Sequence, residues 1–89
     1  MTAVLTVIGK DKVGIISSIS GILAGYGINI LNISQSIMGD LFTMMMMVDI
    51  GSMSVSFGEL VDELRQKGLD LGLEIRIQKE EIFNSMHRI

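Results

Sequence analysis

The sequence predicts an α+β domain whose elements run in the order β-α-β-β-α-β. Three observations predict it. Apolar residues recur at three- and four-residue spacing in two separate windows, near residues 13–26 and 56–71. Four other windows are apolar and β-branched, or alternate with a period of two. Glycines fall at the junctions between these windows, where the chain must turn.

The first strand is "TAVLTVIG" (2–9). Val4, Thr6 and Ile8 form one face and Ala3, Leu5 and Val7 the other, so both faces are apolar and the strand belongs in the middle of a sheet. "DKVG" (11–14) ends it and opens a helix, with Asp11 as the expected N-cap. Ile15, Ile19, Ile22, Leu23 and Tyr26 form the buried stripe, and Gly27 is the expected C-terminal cap. "INILNISQSIMG" (28–39) is the second strand: Ile28, Ile30, Asn32, Ser34 and Ser36 alternate with Asn29, Leu31, Ile33, Gln35 and Ile37. Gly39-Asp40 signals a hairpin into the third strand, "LFTMMMMVDI" (41–50). Ser56 and Glu59 have capping-box spacing at the start of the second helix, and Val55 and Leu60 stand where a hydrophobic staple would sit. Phe57, Leu60, Val61, Leu64, Gly68 and Leu71 share its apolar face, and Gly72 stops it. "LEIRIQK" (73–79) alternates as the fourth strand. In the tail, 80–89, Ile82, Phe83, Met86 and Ile89 recur at helical spacing, which predicts a short helix.

Two right-handed crossovers joined by a hairpin make a ferredoxin-like sandwich. The expected sheet is antiparallel, with strand order 4-1-3-2 and both helices on one face. Residues 1–79 form the domain and 80–89 a C-terminal tail. The run Met44–Met47 tests this picture. Strand side chains alternate, so Met44 and Met46 point to one face and Met45 and Met47 to the other. Four thioethers then cannot converge on a soft metal ion, and core filling is the better account. The same run leaves the face away from the helices apolar. Either the tail or another subunit is expected to cover it.

Composition narrows the function. With 89 residues the core is small, which favours oligomerisation. No apolar run is long enough for a membrane helix, and no basic patch precedes the first apolar residues, so neither a membrane span nor a signal peptide is expected. The chain has no cysteine, which excludes disulfides and thiolate chemistry and fits the cytoplasm. A net charge of −3 without a basic cluster argues against nucleic acid. An RNA-binding module of the same element order would also carry stacking aromatics on its first and third strands, and only Phe42 is present there. His87 is the single histidine, and no Ser-His-Asp set or carboxylate cluster stands near it in sequence. No enzyme, cofactor or metal site is expected.

The stretch "GKDKVGIISSISGILAGYGINI" (9–30) carries the candidate site. Free N–H groups after Asp11 lie at a helix N-terminus, which favours a carboxylate. Gly14 permits close approach, Asp11 could meet an ammonium, and Asn29 offers an amide donor and acceptor. These groups suit an α-amino acid. A helix over residues 13–26 is about 20 Å long, however, so Asp11 and Asn29 lie at opposite ends of it. One ligand reaches both only if a second subunit lies antiparallel, and a two-fold dimer then makes two equivalent sites.

With these residues in view, the chain resembles an ACT domain. The signature is a strand, a loop reading Asp11-Lys12-Val13-Gly14, an apolar helix, and Gly27-Ile28-Asn29-Ile30 entering the next strand. The tail "FNSMHRI" resembles that of small stand-alone bacterial ACT-domain proteins, which are similar to the ACT modules of the glycine-cleavage-system transcriptional repressor. The resemblance implies that Asp11, Gly14, Asn29 and Ile30 sit at ligand-contact positions. It also implies binding of an amino acid or similar metabolite between subunits. Val13 departs from the pattern, since many such loops place proline before the glycine. The sequence holds no catalytic or DNA-binding domain, so the expected output passes to a separate protein. The competing expectation is a ligand-free interaction module that uses the apolar sheet face and the tail.

Overall fold

Strand β1 (Thr2–Lys10) lies at the centre of the sheet, as its two apolar faces require. The computed structural model describes residues 1–10 and 14–81. After β1 come α1 (Ile15–Gly25), β2 (Asn29–Met38), β3 (Leu41–Asp49), α2 (Phe57–Leu71) and β4 (Glu74–Lys79). The sheet order is β2-β3-β1-β4, the predicted order read from the other edge. β1 pairs antiparallel with both β3 and β4, and β2 pairs antiparallel with β3. Among the described residues no helix is long and apolar enough to cross a membrane.

The helix side of the sheet supplies the core. Ala3, Leu5 and Val7 of β1 and Met44, Met46 and Val48 of β3 are fully buried there. Ile15, Ile19 and Leu23 from α1 and Leu60 and Leu64 from α2 close over them. The methionine run divides as its alternation demands. Met44 and Met46 are buried, whereas Met45 is 41 % and Met47 36 % exposed on the opposite face. Gly68 lets α2 lie close to β4, because a Cβ there would stand 2.8 Å from the Leu73 carbonyl oxygen.

The two helices end alike. The Ile28 N–H donates to the Leu23 carbonyl and the Gly27 N–H to Ala24, with Gly27 at φ 73°. The Leu73 N–H donates to Gly68 and the Gly72 N–H to Leu69, with Gly72 at φ 70°. Both pairs are the reciprocal bonds of a glycine-terminated helix, so both expected stops are formed.

They begin differently. Ser56 caps α2: its Oγ accepts from the Glu59 N–H at 3.2 Å and lies 3.3 Å from the Glu59 carboxylate. The N-cap position of α1 is Gly14, not Asp11, and α1 starts later than residue 13. Gly14 adopts φ 86°, a left-handed angle that costs a side-chain-bearing residue energy. Asp11 itself lies outside the described residues, as do His87 and the predicted tail helix beyond Glu81.

Strand β2 departs from simple alternation. Ile30 pairs with Val48, but Asn32 pairs with Met47, so Leu31 is an extra residue in a bulge. Partners directly across a ladder share a face. Ile30 therefore shares the helix side with Ile33, Gln35 and Ile37, which pair with Met46, Met44 and Phe42. Asn32, Ser34 and Ser36 face the other way with Met47, Met45 and Thr43. Strict alternation would have put Ile30 with Asn32, Ser34 and Ser36. The bulge reverses everything after it.

Candidate functional site at the start of the first helix

The bulge has a local result at the N-terminus of α1. It turns Gln35 and Ile37 toward the helix side, beyond the end of α1. There they face Gly14, Ile15, Ile16 and Ser17 across a hollow of about 480 Å³, with Phe42 also in its wall. Phe42 is buried, while Ile37 is 59 % and Ile16 36 % exposed. Among the described residues the lining is apolar apart from the Ser17 hydroxyl, the Gln35 amide and the backbone. A carboxamide offers both donor and acceptor, so Gln35 can read an amine or a carboxylate.

The helix end supplies the electrostatics. The first intrahelical bond runs from the Ser18 N–H to the Gly14 carbonyl, 2.9 Å. The N–H groups of Ile15, Ile16 and Ser17 precede that bond and have no partner within the helix. No side chain caps them among the described residues, and the first turn carries no acidic residue. The positive end of the α1 dipole is thus not offset by its own first turn. α2 differs on both counts, with Ser56 as cap and Glu59 in its first turn.

The predicted site residues divide in space. Gly14 lies at the hollow. Asn29 and Ile30 lie at the far end of α1, whose 11 residues span about 16 Å. Asn29 is exposed and stands directly across from Asp49 in the ladder. Ile30 is half-buried and packs against the core on the opposite face. Within one chain the structure does not bring Gly14 together with Asn29 or Ile30. Sequence reasoning missed Gln35, Ile37 and Phe42 as neighbours of Gly14. Only the bulge at Leu31 reveals them, and nothing in the local pattern of β2 marks it. Asp49, beside Asn29, was hidden because the partner of a strand residue depends on register.

The chain matches an ACT domain family model over residues 1–78. The chain belongs to the ACT domain family. It is 56 % identical over 89 residues to a UPF0237 protein of Clostridium acetobutylicum, covering 100 % of both chains. Its structure is similar to an ACT domain protein from Streptococcus pneumoniae, with a TM-score of 0.81, 41 % identity and 93 % of each chain covered. The fold also matches a protein described as a glycine cleavage system transcriptional repressor. That match has a TM-score of 0.74 and 22 % identity, over 88 % of this chain and 44 % of the other.

Proposed function

We propose that this ACT domain is a regulatory sensor that binds an amino acid, or a similar small carboxylate, at an interface between two copies of itself. The observation that carries the reading is the start of α1, which no side chain among the described residues caps. Its N–H groups open onto an apolar hollow instead of being closed by a serine, as those of α2 are. A ligand carboxylate accepts from the N–H groups of Ile15 to Ser17, and an apolar side chain enters between Ile16 and Ile37. Gly14 leaves the approach clear of a side chain. Asp11 receives the ammonium.

Asn29 and Ile30 join the site only from a second copy. A partner lying antiparallel along α1 and β2 brings its Asn29 to this Gly14, and the two-fold axis repeats the site. Ligand binding then stabilises one arrangement of the two copies. That arrangement is the output passed to a separate protein.

Complementation tests the shared site. Asp11→Ala and Asn29→Ala, each alone, should abolish amino-acid binding measured by calorimetry. Refolding the two variants together forms mixed dimers with one intact site, and part of the binding should return. If each variant binds like the wild type, the site is elsewhere. If both lose binding and the mixture restores none, the site is not shared between subunits.

A further inference from the structure

The hollow at the start of α1 has one wall from the helix and one from β2. Residues 13–39, which supply most of both walls, include no charged side chain. Among the described residues Gln35 is the one polar side chain that β2 turns into the hollow. It is exposed, and no hydrogen bond ties it to another described residue.

Its place follows from lengths. The 11 residues of α1 span about 16 Å. About five strand residues cover the same distance. Counted from Asn29, that brings the first turn of α1 close to Gln35, with Ile37 on the same face one pleat beyond it. The bulge at Leu31 is what makes this so. Under strict alternation Gln35 would point to the opposite face of the sheet, away from the hollow.

A ligand held by its carboxylate at the N–H groups of Ile15 to Ser17, with its side chain between Ile16 and Ile37, turns its α-substituent toward Gln35. An ammonium carries three N–H donors, and each one left without an acceptor in an apolar hollow costs free energy. Asp11 reaches it only from the loop. On the β2 side the acceptor is the Oε1 of Gln35, and a bond from a charged donor to it is stronger than one from a hydroxyl. We infer that Gln35 is a specificity residue of this site, whose Oε1 accepts from the ligand's α-ammonium and so favours an amino acid over the acid with a hydroxyl at the same carbon. The inference rests on the reading of the hollow as a carboxylate site.

Calorimetry on the full chain tests it. The probes are L-alanine, L-valine, L-leucine and L-phenylalanine, each paired with the L-2-hydroxy acid of the same side chain. The wild type should bind at least one amino acid about tenfold or more tightly than its hydroxy partner. Gln35→Leu should weaken that amino acid at least about tenfold and the hydroxy acid much less, so the preference narrows. Gln35→Glu keeps an acceptor in place and should keep the preference. A merely structural role would weaken both members of a pair together. A wild type that binds both members alike, an equal loss for both in Gln35→Leu, or a preference that Gln35→Leu leaves unchanged would overturn the inference and leave the site standing. A wild type that binds none of the eight acids would instead remove the site reading itself, and this inference with it.

Discussion

The two helices of this domain finish in the same way and start in opposite ways. α2 opens with a serine cap, an acidic residue in its first turn and a buried leucine at position 60. α1 opens with a left-handed glycine, no acidic residue in its first turn, no side-chain cap among the described residues, and an apolar side chain, Ile16, that is partly in solvent. Stability alone favours the first design. A helix that omits those features at one end leaves donors and apolar surface available there. On the proposed function, the contrast separates the two starts: the closed start of α2 belongs to the scaffold and the open start of α1 to the binding site.

Substitutions at the two starts should therefore differ in what they do to ligand response. The largest loss of stability is expected for Leu60→Ala, which empties a fully buried position in the first turn of α2. It should lower the unfolding free energy by roughly 2–5 kcal/mol in denaturant titration. Gly14→Ala should cost about 1–2 kcal/mol, because φ 86° is strained for any residue with a Cβ. A Cβ there meets no described atom within 4 Å, so the loss is conformational, and ligand response should fall with it. Ser56→Ala should remove about 1 kcal/mol by uncapping α2, with ligand affinity unchanged. Asn29→Ala should move stability by less than about 0.5 kcal/mol, since its side chain is exposed, yet reduce ligand affinity at least about tenfold. A Ser56→Ala variant that lost ligand response, or an Asn29→Ala variant that kept it, would erase the distinction between the two starts.

Much of the fold was legible because its signals are local. Ser56 and Glu59 read as a capping box, and the Ser56 hydroxyl does cap the Glu59 N–H. Gly27 and Gly72 read as stops and stand at left-handed angles. Ala3, Leu5 and Val7 against Val4, Thr6 and Ile8 gave β1 its central place, and the methionine run sorted itself by alternation. The site was less legible because it depends on pairing between strands. One extra residue at Leu31 reverses the facing of the rest of β2, and the register with β3 decides that reversal. Gln35 and Ile37 consequently meet Gly14, and no periodicity within 28–39 shows it. Asp11 read as the cap of α1, but the cap position falls three residues later, at Gly14. The contribution proposed for Asn29 and Ile30 requires a second copy, because within one chain they lie at the far end of α1 from Gly14.

The central claim is that the open start of α1 receives a small carboxylate in a dimer. Its most direct test is a thermal-shift screen of the purified protein against the amino acids and related metabolites, with molar mass followed by light scattering. The account predicts a dimer and a clear rise in melting temperature with at least one α-amino acid. At a hundred times its dissociation constant such a ligand adds about 2.7 kcal/mol. The shift at the same ligand concentration should fall to about half or less in Asn29→Ala. A protein that stays monomeric, or a dimer whose melting temperature no amino acid or related carboxylate raises, would contradict it.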